Sequence, residues 1–455
     1  MSGRTTSHLI LTLLAALWAG MVLFNLEYLG RFTAHLLLVS VRWLQLLFVA
    51  LSLYSGTLLL LGSVRRPPRR HRGPRPFVSI LVPAKDEERV IEATLRGLAA
   101  QVYEEEGERR FEVIAIDDGS TDATPEILAR LASALGLRVV RTPAGSRGKA
   151  AALNVGVAEA RGQVLVVFDA DARVGPLLLE QMTAALDDPR VGGVQARRLP
   201  YNGATNVLTR MQDDDFAIVQ TAFQRAREAV GAFVTFDGNG MLLRRRALDD
   251  AGGWNEEALT ENIDISVRLY LRGWRIRYCA EAVVWEEAVP ALGALIRQRA
   301  RWFEGSLRCL GQYLPAILVS HLPLRVRLDM FFYLAGTLMA TLGLLTSYAY
   351  ALAGLAGVIL LFLRLPAAVM GAASLFFTAS LLAAVAVGRS WHPAGLMAVL
   401  LRSALFALPR LIVVPLAIGH YVRTAWSGRL EWAKTVHLGE AAAEGASDPG
   451  YVSRV

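Results

Sequence analysis

Two aspartates set two residues apart, Asp169 and Asp171 in VVFDAD (166–171), are the pair in this chain best suited to chemistry. At an extended strand end, side chains at i and i+2 point the same way, so the two carboxylates can share one hard divalent cation. Mg2+ takes oxygen ligands and keeps positions open for substrate phosphates. A metal bridging a diphosphate neutralises the charge that develops as a nucleoside diphosphate leaves. Two further polar clusters accompany the pair, Lys85-Asp86-Glu87-Glu88 and Asp117-Asp118-Gly119-Ser120. One such cluster alone reads as a helix cap. Three of them, each after an apolar run, read as one site for a cation or for a ligand rich in hydroxyl and amide donors.

The runs that must position these clusters are VSILVP (78–83), FEVIAID (111–117), LRVVRT (137–142) and QVLVVFDAD (163–171). Amphipathic stretches such as 88–100 separate them. The alternation predicts βαβ units and a mainly parallel sheet covered on both faces. Ligands bind such sheets beyond the carboxyl ends of the strands, where the clusters fall.

Outside this middle region the chain is lipid-like. Of its 455 residues 54% are apolar and 19% charged, which excludes a disordered, collagen-like or disulfide-stapled protein. Cys279 and Cys309 are too few for a disulfide framework or a cysteine zinc site. The net charge of +8 comes from 45 Arg and three Lys against 40 acidic residues. Six of the Arg crowd into 65–76 beside an apolar run, which indicates a membrane surface and no nucleic-acid partner. Apolar stretches at 8–26 and 41–62 are long enough to span a bilayer, and the second argues against a secretory signal. The prolines of 65–76 forbid a helix and its arginines mark the cytoplasmic side. Past 310 come an amphipathic stretch (311–328) and apolar runs at 330–346, 347–363, 366–387 and 396–418, the last kinked by Pro409 and Pro415. Six spans are expected, in a multi-pass protein of the cell (plasma) membrane with its catalytic domain in the cytoplasm. The divisions are a hairpin (1–64), a basic linker (65–76), an α/β domain (77–310), the interfacial segment (311–328), the later spans (329–420) and a polar end (421–455).

The segments ILVPAKDEE, AIDDGSTD, GKAAALN (148–154), VFDADA, LTENID (259–264) and QRARW (298–302) occur in the order seen in membrane-embedded family 2 glycosyltransferases. Over about 77–310 the chain resembles that group, which includes cellulose, hyaluronan and poly-N-acetylglucosamine synthases. VGGVQARRL (191–199), DGNGMLLRRRAL (237–248), GGWNEE (252–257), WEEAVP (285–290) and RWFEGSLRCL (301–310) look most like bacterial β-monoglucosyldiacylglycerol synthases. The resemblance implies a GT-A fold, an α/β Rossmann-like domain with a mainly parallel sheet, joined to an α-helical transmembrane bundle. The activity implied is inverting transfer of a hexose, glucose from UDP-glucose, to a lipid hydroxyl such as that of diacylglycerol. A processive polysaccharide synthase stays open, as does, from another class, an inert transferase-like membrane scaffold or transporter.

By match of motif, Pro83, Ala84 and Glu87 with Asp117 and Asp118 would hold the uridine of a UDP-sugar. Lys149 would approach the uracil or diphosphate, and Asp169 and Asp171 would hold Mg2+ or Mn2+. Gln298 and Arg301 would contact the diphosphate, where a planar guanidinium gives a bidentate fork. Trp302 would stack on the acceptor. The three lysines, Lys85, Lys149 and Lys434, all fall in motif-like segments, as if each position needs a compact ammonium. One position departs: relatives read T-E-D or T-D-D where this chain has Thr260-Glu261-Asn262, and the third residue is their presumed general base. An amide cannot take that proton, so Glu261 or Asp264 must substitute, Glu261 being favoured. Glu431-Trp432-Ala433-Lys434-Thr435 resembles a cytoplasmic W-x-K-T element expected over the active site. The 20 residues beyond Thr435 are too few for an added nucleotide-sensing domain.

Overall fold

The computed structural model describes residues 33–64, 73–145, 148–339, 341–342, 367–388, 393–427, 437 and 439, with isolated positions at 12, 15 and 16. A helix, α1 (Thr33–Gly62), leads to β1 (Val78–Ala84). Then follow α2 (Ile91–Ala99), β2 (Phe111–Asp117), α3 (Thr124–Leu135), β3 (Arg138–Arg141), α4 (Gly148–Glu159) and β4 (Val164–Val167). The second half of the domain has β5 (Arg173–Val174), α5 (Leu178–Thr183), β6 (Val191–Pro200), α6 (Val207–Asp214) and α7 (Thr221–Val230). It continues through β7 (Met241–Arg244), α8 (Arg245–Asp250), α9 (Glu261–Leu271) and β8 (Arg275–Glu286).

One eight-stranded sheet results, in the order β3-β2-β1-β4-β7-β6-β8-β5. β1 pairs in parallel with both β2 and β4, so successive connections depart from β1 in opposite directions. That reversal opens a crevice beyond Ala84 and Val167. Burial explains the near-continuous apolar character of these strands: β2 and β4 are buried along their whole length. Ile80 and Val82 pack with Leu95, Leu98, Leu128 and Leu131 on one face. Leu81, Ile114 and Ile116 pack with Leu153 on the other.

Two expectations need correction, and one strand comes in addition. The fourth run is not extended to 171: the strand ends at Val167, and Ala172 N–H donates to Asp169 O at 3.1 Å. The two aspartates therefore stand in a turn, because Asp169 N–H leaves the ladder and donates to the Asn239 side chain at 3.2 Å. β7 is antiparallel and lies between β4 and β6, a short insertion that no alternation marked. The boundary at 310 falls inside a single helix, α10 (Leu292–Val319), which runs on through Gly311 and Pro315.

Beyond α10 lie α11 (Leu324–Leu334), α12 (Ala367–Gly388), α13 (Pro393–Phe406) and α14 (Arg410–Ser427). Among the described residues, two helical stretches are long and apolar enough to cross a membrane, Gln45–Gly62 and Ala398–Thr424. The run expected at 396–418 breaks at 407–409, where Leu408 N–H bonds Leu405 O, because Pro409 has no N–H to continue the helical ladder. The expected first span at 8–26, the run at 347–363, most of the linker and the final polar tail lie outside the described residues.

The helices are tied to the α/β domain by buried ion pairs. Arg227 on α7 meets Asp329 on α11 at 3.0 Å and Tyr54 of α1 at 3.2 Å, while Tyr54 also bonds Asp329. Phe233 N–H donates to Asp329 at 2.9 Å. Arg402 of α13 pairs with Asp214 of α6 at 2.6 Å, and His420 Nδ1 of α14 lies within hydrogen-bond distance of Glu304 of α10, at 2.6 Å.

Candidate active site

The turns after β1 and β2 are laced together. Asp86 takes a left-handed backbone (φ 52). Its N–H donates to Ser120 Oγ at 3.0 Å, and its carboxylate accepts from Thr121 N–H at 2.7 Å. Glu87 N–H donates to Thr124 Oγ1 at 2.8 Å. This brings Pro83, Ala84, Lys85, Glu87 and Asp118 to one end of a cavity of about 860 Å3. Asp118 accepts from Thr142 at 3.1 Å, and burial pushes its carboxyl up from the ordinary value. Asp117 is not on the cavity wall; it accepts from Ser120 N–H at 2.9 Å and so shapes the turn that presents Asp118.

The middle of the cavity is charged. Lys149 Nζ lies 2.5 Å from Asp169, 2.8 Å from Gly238 O and 3.3 Å from Glu261. Burial works to discharge this lysine, but Asp169 and Glu261 outweigh it and hold its pKa above the usual value. Asp171 accepts from Glu287 N–H at 2.8 Å and faces His437 Nδ1 at 3.5 Å. Glu286, at the end of β8, pairs with Arg198 of β6 at 3.1 Å and accepts from Asn239 at 3.2 Å. Burial pushes its carboxyl up to about 7; Arg198 opposes the shift, and Asp171 and Asp169 add to it.

α9 begins at Glu261, and this placement separates the two candidate bases. Glu261 and Asn262 both line the cavity, with Asn262 Nδ2 donating to Phe236 O at 2.8 Å. Asp264 lies outside it. Its oxygens are taken by Tyr313 OH at 2.6 Å, Arg268 at 2.7 Å and Asn255 at 3.2 Å. Three donors make Asp264 a tie between α9 and α10, not a proton acceptor. Asp264→Asn is expected to lower stability by about 1–3 kcal/mol through a spoiled buried hydrogen-bond set. Thermal unfolding checks this; an unchanged midpoint with a hundredfold loss of turnover would contradict it.

α10 carries Gln298, Arg301 and Trp302 along the same cavity. It approaches α9 closely because residue 305 is glycine: a Cβ there would stand 2.3 Å from Thr260 Cγ2 and Oγ1. Gly305→Ala is expected to cost about 1–3 kcal/mol by overpacking. It should lower turnover with it, since Thr260 leads directly into Glu261. Calorimetry with kinetics on the same preparation tests the pair, and a change in neither sinks the idea.

The far end of the cavity is lined by Trp302, Phe406, Arg410 and Val413, contributed by α10, α13 and α14. Arg198, Asp237, Glu286, Arg299 and His437 line the same cavity, and nothing in their residue types singles them out in the sequence. Their neighbourhoods WEEAVP, DGNG and QRARW stood out only by resemblance. The segment 431–435 is outside the described residues, but just beyond it Gly439 N–H donates to Glu287 at 3.0 Å, beside His437.

Among the described residues no three or more His, Cys, Asp and Glu side chains form a closed metal cage. Two carboxylates fit instead a hard cation that takes its remaining ligands from water and substrate phosphates. Burial is the main cause of the raised Glu286 pKa and Asp171 and Asp169 add to it, so this third carboxylate stands near the pair.

Comparison with known proteins bears on the family and the fold. Residues 74–305 match the family described as Glycosyltransferase like family 2. A β-monoglucosyldiacylglycerol synthase from a Nostoc species is 37% identical over 311 residues, 67% of this chain and 64% of that protein. A poly-β-1,6-N-acetyl-D-glucosamine synthase from Staphylococcus aureus is 31% identical over 229 residues, 50% of this chain and 54% of that protein. The chain thus spans less than two thirds of these relatives. A mannosyltransferase from Pyrobaculum calidifontis, solved with GDP-Man and Mn2+, superposes with a TM-score of 0.52 at 23% identity. The superposition covers 76% of this chain and 98% of that one, and shows a common fold.

Proposed function

The chain belongs to glycosyltransferase family 2, and from that premise we propose that it transfers glucose from UDP-glucose to a membrane lipid hydroxyl such as that of diacylglycerol, with inversion. The observation that carries this reading is the single cavity running from the turns after β1 and β2 to the apolar helices α13 and α14. A donor held at the sheet edge and a lipid entering from the helices would meet at Glu261 and Trp302.

In this reading Pro83, Ala84, Glu87 and Asp118 hold the uridine, with Asp117 shaping their turn. Lys149, Gln298 and Arg301 face the diphosphate, and Trp302 carries the acceptor. Asp169 and Asp171 hold Mg2+ or Mn2+, which when bound supplies charge neutralisation to the departing diphosphate. Glu261 takes the proton of the acceptor hydroxyl as its oxygen bonds the anomeric carbon. The protein sits in the cell membrane with its α/β domain on the cytoplasmic side, a reading supported by the length and apolar character of Gln45–Gly62 and Ala398–Thr424.

The test is to incubate the purified full chain with UDP-[14C]glucose and lipid, then separate phases. Label is expected in the organic phase, dependent on added lipid. An ethanol-insoluble, water-phase chain that lengthens with time would overturn the reading in favour of a processive synthase.

A further inference from the structure

Arg299 is a buried charge that the donor chemistry does not use. Its guanidinium carbon lies 4.4 Å over the Trp302 ring, 5.7 Å from Phe406 and 5.9 Å from Phe216. Aromatic contacts of this kind cover the faces of the guanidinium, whereas its N–H donors point outward in the plane. Nε and Nη2 are sealed from solvent and have no hydrogen-bond partner among the described residues. These two nitrogens form one edge of the group, the fork that matches two oxygens of a phosphate or carboxylate.

The nearby carboxylates do not fill that edge. Glu286 is paired with Arg198, and Asp215 accepts from Gln220 at 2.9 Å and forms no ion pair with Arg299. Burial lowers the Arg299 pKa to about 10; Asp215 opposes the shift, and Arg198 and Arg410 add to it. Arg301 feels a different set, Glu261 and Asp169. The two arginines of the motif thus have different charged neighbours. Phe406 of α13 lies against Arg299, and Leu400 and Ala404 of α13 with Arg410 and Val413 of α14 line the same cavity.

We infer that Arg299, with Arg410 beside it, seats the phosphate of a membrane lipid, so that the lipid admitted at the acceptor end is an anionic glycerophospholipid with a free headgroup hydroxyl. The inference rests on the transferase reading above and narrows its acceptor away from neutral diacylglycerol. The hydroxyl oxygen would bond the anomeric carbon, the bond from that carbon to the diphosphate would break with its electron pair, and the proton would pass to Glu261. A fork already desolvated in an apolar wall recognises phosphate without a further dehydration step, which a neutral headgroup cannot exploit.

The full chain in maltoside micelles is titrated with dioleoylphosphatidylglycerol, dioleoylglycerol or inorganic phosphate and read by native mass spectrometry, with UDP binding followed by calorimetry. Wild type is expected to hold phosphatidylglycerol at least about tenfold more tightly than dioleoylglycerol, a margin set by one charge-assisted fork. Arg299→Leu should erase that preference at unchanged UDP affinity, and Arg299→Lys should restore part of it. Equal retention of the two lipids by wild type overturns the inference without recourse to any variant. So does a preference kept in Arg299→Leu, or a parallel fall in UDP affinity, which would assign Arg299 to the donor. Inorganic phosphate bound as tightly as the lipid would overturn the lipid source. Arg299-dependent retention without sugar transfer to any lipid leaves the seat standing and sinks the transferase reading. Transfer to dioleoylglycerol without lipid discrimination does the reverse.

Discussion

Asp171→Asn is expected to reduce sugar transfer by several orders of magnitude at saturating donor. The carboxylate does two things at once. It offers an anionic ligand beside Asp169, and it accepts the Glu287 N–H at 2.8 Å, which joins the turn after β4 to the end of β8. Asparagine keeps the volume and an acceptor for that N–H but supplies no charge, so the fold survives while the developing charge on the leaving diphosphate goes uncompensated. Initial rates with Mg2+ or Mn2+ titrated against a chelator test this. Wild-type activity in excess chelator, or in Asp171→Asn, would show that no divalent cation is involved.

The parallel strands and their acidic ends were legible in the sequence because both signals are local. A buried strand such as 111–117 announces itself by a run of apolar residues, and the polar residues after it mark its end. Asp169 and Asp171 were found for the same reason. Asp264 could not be separated from Glu261 in that way. Both lie in the first turn of one helix, and what divides them is Tyr313, which is 49 residues away in sequence and bonds Asp264. Arg198 and Glu286 lie 88 residues apart and form a pair only because β6 and β8 run side by side. QRARW by itself assigns Arg299 no role, since the emptiness of its fork depends on where Glu286 and Asp215 are engaged. Long-range pairing decided each of these.

Glu261→Gln is expected to lower turnover by about 10²–10⁴-fold, the usual worth of a positioned base. With Asp264 consumed between α9 and α10, Glu261 is the carboxylate of that segment that faces the cavity. Its partner Lys149 also contacts Asp169 at 2.5 Å, so donor and base share one ammonium. That arrangement fixes the direction of the Glu261 carboxylate. Asn262→Asp should leave turnover unchanged or raise it, because a second carboxylate would then stand in the cavity beside Gly238. The comparison is made on kcat with UDP affinity measured separately. Wild-type turnover in Glu261→Gln would pass the role to another carboxylate of the cavity wall, such as Asp237 or Glu286.

The buried contact of Tyr54, Arg227 and Asp329 makes α1, the α/β domain and α11 one rigid mount. A rigid mount turns the protein into a gauge. If the acceptor is a membrane lipid, as proposed, the height of the transfer point above the bilayer is set by the protein, and a headgroup must reach that height to be used. Selection by length follows, in addition to selection by charge: a hydroxyl held too close to the glycerol backbone falls short, and one on a long spacer overshoots. The same gauge makes output depend on the thickness of the surrounding bilayer, since a thicker leaflet lifts every headgroup relative to a fixed mark.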